Sequence, residues 1–161
     1  MEKSQKTKIV AIALSLLIIA LSMFRIDTTQ YALYPSNTPF GCLAYHFFHV
    51  NVFHALMNSW CLLGLAFFYS IRLRDIIIAF AVAASFPPCL CTAPTVGLSG
   101  MLYALMGLLL PQMSRKLFCC LWLAAWNIAA LLIGGSAVEV HAYCFCSAVV
   151  NNLLYNRIFR L

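Results

Sequence analysis

A serine between glycines opens one of the most apolar stretches of the chain. Ser99 lies in PTVGLSGMLYALMG, Pro94 to Gly107, which otherwise has the composition of a membrane-spanning helix. The first N–H groups of a helix have no intrahelical acceptor, and the helix dipole adds positive charge beside them. This position suits an oxyanion, so Ser99 is a candidate nucleophile. Taken alone, the pattern favours a serine N-cap with packing glycines at Gly97, Gly100 and Gly107.

Histidines elsewhere in the chain favour the interpretation of Ser99 as a nucleophile over that of an N-cap. His141 opens the last apolar run as Ser99 opens the fourth, so we expect the two side chains at similar depth on adjacent helices, as base and nucleophile. In HVNVFHALMN, His54 and Asn58 are four residues apart and therefore point the same way on a helix, where both can donate hydrogen bonds. Ionisable groups at membrane depth are costly and indicate a functional site.

A metal site is the alternative that the histidines of this region raise. His46, His49 and His54 do not have the spacing of a familiar helical ligand set, and no carboxylate is near them in the sequence. We therefore expect neither a metal nor a cofactor. The cysteines on the outer side, where a disulfide is permitted, are Cys42, Cys89 and Cys91.

The composition indicates that a site formed by Ser99 and the histidines would lie in a membrane protein. Hydrophobic residues make up 64% of the 161 residues and charged residues only 9%, whereas soluble domains average about 45–50% and about 25%. We predict an all-α, polytopic membrane protein, with a short tail over residues 1–8 and one six-helix domain over residues 9–161. The apolar runs are Ile9 to Phe24, Val52 to Tyr69, Ile76 to Phe86, Val96 to Leu110, Leu117 to Ile133 and Ala137 to Tyr155.

The basic residues predict the orientation of these runs. Nine of the ten Lys and Arg residues fall before the first run, in every second gap or after the last run, and the positive-inside rule interprets that side as cytoplasmic. Both termini are then cytoplasmic, in a plasma membrane that we expect to be bacterial, and no basic face is left for nucleic acid. The first run has a second interpretation, a signal peptide cleaved near Ala20 to Ser22.

The fourth run is too short to cross a bilayer. Pro111 and two basic residues after it place its end at the cytoplasmic surface. The rise from Ser99 to Leu110 is roughly 17 Å, against a hydrocarbon core of about 30 Å, so the helix should begin inside the membrane. The preceding loop, Pro87 to Val96, must reach the same depth, where irregular backbone survives only buried in protein or lining a wet cavity.

The order and spacing of these motifs resemble those of the rhomboid intramembrane serine proteases. The likeness is carried by HVNVFHALMN, by GLSG continuing into MLYALMG, and by a lone histidine early in the last helix, and it covers about residues 9 to 155. It implies a rhomboid-like bundle with a short central fourth helix, in which Ser99 is the nucleophile and His141 the general base. His54 and Asn58, with the Ser99 N–H, match the oxyanion-hole positions.

The same resemblance implies supporting roles for other residues. His49 matches a structural histidine of the first loop, and Tyr103 matches a tyrosine that packs on the catalytic histidine, while Gly97 and Gly100 flank the motif serine. Two features depart from the family: the last helix has VHAYC, with Cys144 where a glycine is usual, and the first external loop lacks a Trp-Arg pair.

The implied reaction is cleavage of the transmembrane segments of single-span proteins near the outer face. No carboxylate is well placed as a third catalytic member, so a Ser-His dyad is expected, oriented by Tyr103. The flexible stretch Gly134 to Val140 is a candidate lid. Two alternatives stay open: a catalytically silent rhomboid-like protein that binds or escorts membrane helices, and a small transporter or metal carrier using the outer histidines. The oligomeric state does not follow from the sequence.

Overall fold

The chain folds into α-helices, as a computed structural model that describes residues 2–24, 26–37, 39–132 and 137–159. This confirms the all-α prediction, since the described residues contain no strand and only an isolated bridge between Leu33 and Thr95. The α-helices are α1 Glu2–Met23, α2 Phe40–Ala44, α3 Val52–Phe68, α4 Leu73–Ala84, α5 Ser99–Leu109, α6 Lys116–Leu132 and α7 Val138–Phe159. Residues 134–136 of the candidate lid lie outside the described residues, and its last three residues belong to the first turn of α7.

Six α-helices correspond in order to the six apolar runs, and the five-residue α2 is an additional helix in the first long loop. The bounds differ most at the beginning of the chain, where α1 starts at Glu2. Residues 2–8, which the sequence analysis assigns to a separate tail, therefore continue the first helix. The apolar run marks only the part of a helix suited to lipid, whereas helical hydrogen bonding can continue through polar residues.

The short helix α5 lies at the centre of the bundle. Eight of its eleven residues are buried, and its α-helical part ends at Leu109, before the 3-10 turn that contains Pro111. It packs along α7. Gly107 of α5 has no side chain, and a Cβ at this position would lie 2.7 Å from the Phe145 carbonyl oxygen of α7. The predicted short fourth helix is thus present, beginning at Ser99 rather than at Val96.

The helices alternate so that the basic residues meet at one end of the bundle. The Lys8 Nζ lies 5.1 Å from the centre of the Phe67 ring, which brings the start of α1 to the end of α3. The Ser70 N–H donates to Gln112 Oε1 at 3.2 Å, which brings the end of α3 to the end of α5. We call this the basic end, because Arg72 and Arg74 follow Ser70 and Arg115 and Lys116 follow Gln112.

The first long loop closes the opposite end. Tyr31 stacks on Phe48 with ring centroids 4.0 Å apart, and Asn37 Nδ2 donates to the Thr29 carbonyl at 2.6 Å. The bridge between Leu33 and Thr95 ties this loop to the one before α5 through hydrogen bonds of 2.8 and 3.2 Å. These contacts hold the loop, in which the Trp-Arg pair of the rhomboid proteases is missing.

Only part of the membrane prediction is tested by helix length. Among the described residues, one helix is long and apolar enough to span a membrane, Gln5–Met23, with a mean hydropathy of 1.9. The segments Val52–Phe68 and Lys116–Ala129 are apolar but shorter. A helix near the N-terminus is also typical of a signal sequence, so that interpretation of the first run stays open.

Candidate active site

The loop before α5 delivers Ser99 to the end of the bundle opposite the basic end. Gly97 has φ +131°, a backbone conformation that side chains disfavour, and its N–H donates to the Tyr45 carbonyl at 2.8 Å. The next N–H, of Leu98, donates to Nε2 of the buried His49 at 3.3 Å. His49 therefore holds the backbone immediately before Ser99.

The Ser99 side chain meets His141 across the α5–α7 contact. The distance from Ser99 Oγ to His141 Nε2 is 2.8 Å, within hydrogen-bonding range, and both residues are half-buried. His141 lies in the first turn of α7, where its N–H donates to the Ala137 carbonyl at 2.9 Å. A serine hydroxyl hydrogen-bonded to an imidazole nitrogen is the arrangement in which the ring can take the hydroxyl proton.

The His141 ring is held on its face and on its far edge. Tyr103, one turn after Ser99, stacks on the ring with centroids 4.3 Å apart and an interplanar angle of 6°. The far nitrogen, Nδ1, lies 3.1 Å from Oδ1 of Asn127 on α6. The stacking matches the expectation from the sequence, whereas Asn127 is not among the residues predicted there.

His54 and Asn58 converge on the backbone just before Ser99. A Cβ placed on Gly97 would lie 2.9 Å from His54 Cε1 and 3.6 Å from Asn58 Nδ2, so only a glycine leaves room for these side chains. The Asn58 Nδ2 atom is buried and has no hydrogen-bond partner in the described part of the chain. A buried amide donor without a partner is costly and calls for an explanation, and an acceptor supplied by a bound substrate is one.

The backbone adds donors at the same place. The first intrahelical bond of α5 runs from the Leu102 N–H to the Leu98 carbonyl at 3.1 Å, so the N–H groups of Ser99, Gly100 and Met101 precede the helical ladder. These N–H groups and the amide of Asn58 are all hydrogen-bond donors close to Ser99. They could stabilise the oxyanion that develops when a serine attacks a carbonyl.

The remaining candidates lie elsewhere. His46 is buried between the rings of Tyr45 and Phe80, with centroid distances of 3.8 and 4.7 Å, apart from the serine. Within the described residues, no group of three His, Cys, Asp or Glu side chains is arranged to hold a metal ion. The eight cysteines are free thiols, including Cys42, Cys89 and Cys91.

Glu139, the acidic residue nearest His141 in the sequence, is hydrogen-bonded to Thr92. Glu139 Oε1 accepts from the N–H and the hydroxyl of Thr92 at 3.1 and 2.9 Å, which ties α7 to the loop before α5. A Cβ on Gly100 would lie 3.0 Å from Val140 Cγ1 and 3.5 Å from the Cys144 sulfur, so α5 and α7 are also in close contact at this position.

Comparisons of the chain with protein-family models, curated proteins and solved structures give no match.

Proposed function

We propose that this chain is an intramembrane serine endopeptidase, similar to the rhomboid proteases, that cleaves transmembrane segments of single-span membrane proteins near the outer face. The observation that carries the proposal is the 2.8 Å contact between Ser99 Oγ and His141 Nε2. The unpartnered amide of Asn58 beside the serine supports the proposal. Besides a nucleophile and a base, acyl transfer needs a hydrogen-bond donor for the oxyanion, and this amide can supply one.

The surface of the helices supports a membrane setting. Large apolar side chains are widely exposed, among them Trp60 at 79%, Phe68 at 86% and Trp122 at 61%. Soluble monomers rarely expose contiguous apolar patches of this extent, whereas lipid covers them at no cost. In our proposal the six helices that match the apolar runs form a bundle in a bacterial inner membrane, with α5 beginning inside the bilayer, the basic end and both termini in the cytoplasm and Ser99 in the outer half.

The reaction is acyl transfer followed by hydrolysis. Ser99 Oγ attacks the carbonyl carbon of the scissile peptide bond while its proton passes to His141 Nε2. The oxyanion of the tetrahedral intermediate is held by Asn58, by His54 and by the N–H groups at the start of α5. The C–N bond then breaks, and the leaving amine takes the proton from Nε2, which leaves an ester between the substrate and Ser99. A water molecule, deprotonated by His141, hydrolyses this ester to a carboxylate and free Ser99.

The proposed depth of the site restricts the substrate. A peptide bond within a helix is shielded by its own hydrogen bonds, so a substrate must unwind at the site before Ser99 can reach its carbonyl. Small or helix-weakening residues near the outer end of a transmembrane segment make this unwinding easier.

A serine-directed fluorophosphonate probe tests the assigned nucleophile. We expect the purified protein in detergent to be labelled, and Ser99→Ala and His141→Ala to lose the label. Ser36→Ala is the matched control, because Ser36 is exposed in the first long loop and bonds only to Asn37 at 3.2 Å. Labelling that survives in both Ser99→Ala and His141→Ala would refute the site.

Turnover separates a protease from a silent protein that escorts helices. Membranes of cells producing the wild-type chain and the Ser99→Ala variant are compared by proteomics for single-span proteins trimmed near their outer end. A trimmed protein that depends on Ser99 supports the protease. A labelled serine with no Ser99-dependent trimming, and with the same membrane proteins co-purifying with both forms, favours the silent protein.

A further inference from the structure

Asn127 is a polar residue in an otherwise apolar helix. Between Lys116 and the end of α6 at Leu132 it is the only residue with an amide, hydroxyl or charged side chain. It is half-buried, on the same face of α6 as Leu123, while most other side chains of this helix are exposed. A polar side chain placed in an apolar segment indicates a specific partner.

The orientation of the Asn127 amide is determined by a backbone carbonyl. Its Nδ2 lies 2.8 Å from the Leu123 carbonyl oxygen, one turn earlier on the same helix. A carbonyl oxygen can only accept, so the atom facing it must be the NH₂ group and not the amide oxygen. The second N–H of the same group donates to Tyr103 Oη at 2.9 Å.

The amide orientation in turn determines the tautomer of His141. With both N–H groups engaged, Asn127 presents Oδ1 to His141 Nδ1 at 3.1 Å. An amide oxygen can only accept, so Nδ1 must carry the ring proton. In the neutral ring Nε2 is then left with a lone pair, and it is this nitrogen that lies 2.8 Å from Ser99 Oγ.

We infer that Asn127 is a positioning residue, which holds His141 in the one neutral tautomer able to accept the Ser99 proton; this inference rests on the proposed function. In the Ser-His-Asp template, replacing the aspartate by asparagine lowers kcat about 10⁴-fold through the wrong tautomer. Here the Leu123 carbonyl prevents that outcome, because it turns the Asn127 oxygen toward the ring. A neutral amide thus supplies the orientation for which the sequence offers no carboxylate.

Asn127 also holds the residue that covers the face of the ring. Tyr103 stacks on His141 at a centroid distance of 4.3 Å, and its hydroxyl accepts from the same Asn127 amide. One side chain on α6 therefore controls both the edge and the face of an imidazole on α7.

The test compares two asparagines that each donate to a backbone carbonyl. Asn127→Leu removes the amide at the site, and Asn152→Leu removes an amide on α7 that donates to the Leu108 carbonyl at 2.8 Å, away from His141. We expect the fluorophosphonate labelling rate to fall about 10- to 100-fold in Asn127→Leu, as for loss of an oriented base, and to change less than about twofold in Asn152→Leu.

A spectroscopic readout separates positioning from mere packing. With ¹⁵N-labelled histidine in detergent micelles, and His141→Ala to assign its resonances, the wild-type ring should show a protonated Nδ1 and an unprotonated Nε2. In Asn127→Leu the Nε2-protonated form should appear, and in Asn152→Leu the wild-type pattern should persist. Asn127→Ala, which leaves only a half-buried gap, replaces the leucine variant if that one does not fold.

The outcomes distinguish this inference from the proposed function. Wild-type labelling speed and an unchanged tautomer in the Asn127 variants would overturn the positioning role while leaving Ser99 as nucleophile. A wild-type protein that is not labelled, but whose Nδ1-protonated ring depends on Asn127, would refute the protease and retain the positioning contact. A wild-type ring with its proton on Nε2 would overturn the inference directly.

Discussion

The buried amide of Asn58 is the residue-scale feature that a catalytic role explains best. Asn58 is 6% exposed, and its Nδ2 has no partner in the described part of the chain, which is an unfavourable arrangement in a resting protein. An oxyanion held during acyl transfer would pair with it, and only in the transition state. Binding energy realised there accelerates the chemical step.

We expect Asn58→Ala to lower the fluorophosphonate labelling rate about 10²- to 10³-fold, the usual cost of removing one oxyanion donor. Saturation of the rate with probe concentration should occur at a similar concentration, because the lost interaction belongs to the transition state. Asn151→Ala, at an exposed position on α7, is the control and should label like the wild type. Equal rates in the two variants would remove Asn58 from the site.

Among the helices, the contact between α5 and α7 keeps the proposed nucleophile Ser99 and the proposed base His141 together. The two functional side chains lie near one end of this contact, and Gly107 lies about two turns further along α5. A Cβ on Gly107 would approach the Phe145 carbonyl oxygen to 2.7 Å and the Ala148 Cβ to 2.9 Å. Backbone atoms cannot turn away as a flexible side chain can, so the helices must separate.

We therefore expect Gly107→Ala to lower the free energy of unfolding by about 1–3 kcal/mol and to slow labelling of Ser99, although it touches neither catalytic side chain. Thermal unfolding in detergent measures the first effect and the probe the second. Gly64→Ala is the matched control, since a Cβ there meets nothing within 4 Å, and it should leave stability unchanged or higher. A harmless Gly107→Ala would show that the helices are not held at closest approach.

The basic residues and Ser99 lie at opposite ends of the molecule. Arg72 and Arg74 follow α3 and lie with Gln112 at the basic end, while the bridge between Leu33 and Thr95 closes the end that carries Ser99. In a membrane, this separation would orient the bundle with its basic end in the cytoplasm and Ser99 toward the outside, since basic loops stay in the cytoplasm. The proposed substrate is then cut from the external half of the bilayer.

Cysteine accessibility in intact cells tests the orientation. In a Cys89→Ser background, which removes an exposed thiol, we expect Ser36→Cys to react with a membrane-impermeant maleimide applied from outside, because residue 36 is in the exposed first long loop. Ser114→Cys, at the basic end, should react only after the cells are permeabilised. The reverse pattern would invert the proposed topology, and reaction of both without permeabilisation would refute a spanning bundle.

Short-range relations were determined by the sequence alone. The spacing of His54 and Asn58 places both on one face of α3, and Pro111 limits the length of α5, because helical geometry relates residues a few positions apart wherever the helix lies. The motif order also identified Ser99, His141 and Tyr103 as candidates for one site. Their 2.8 Å and 4.3 Å contacts required the packing of α5 on α7.

The contact of Asn127 with His141 could not be predicted from the sequence. A lone amide in the apolar run of α6 was a readable signal of a buried partner, but nothing local in the sequence relates residue 127 to residue 141. Their contact depends on how α6 and α7 lie against each other, and the ring tautomer depends further on the Leu123 carbonyl that orients the amide. Local spacing propagates along one helix, whereas hydrogen bonds between helices are set by the packing of the whole bundle.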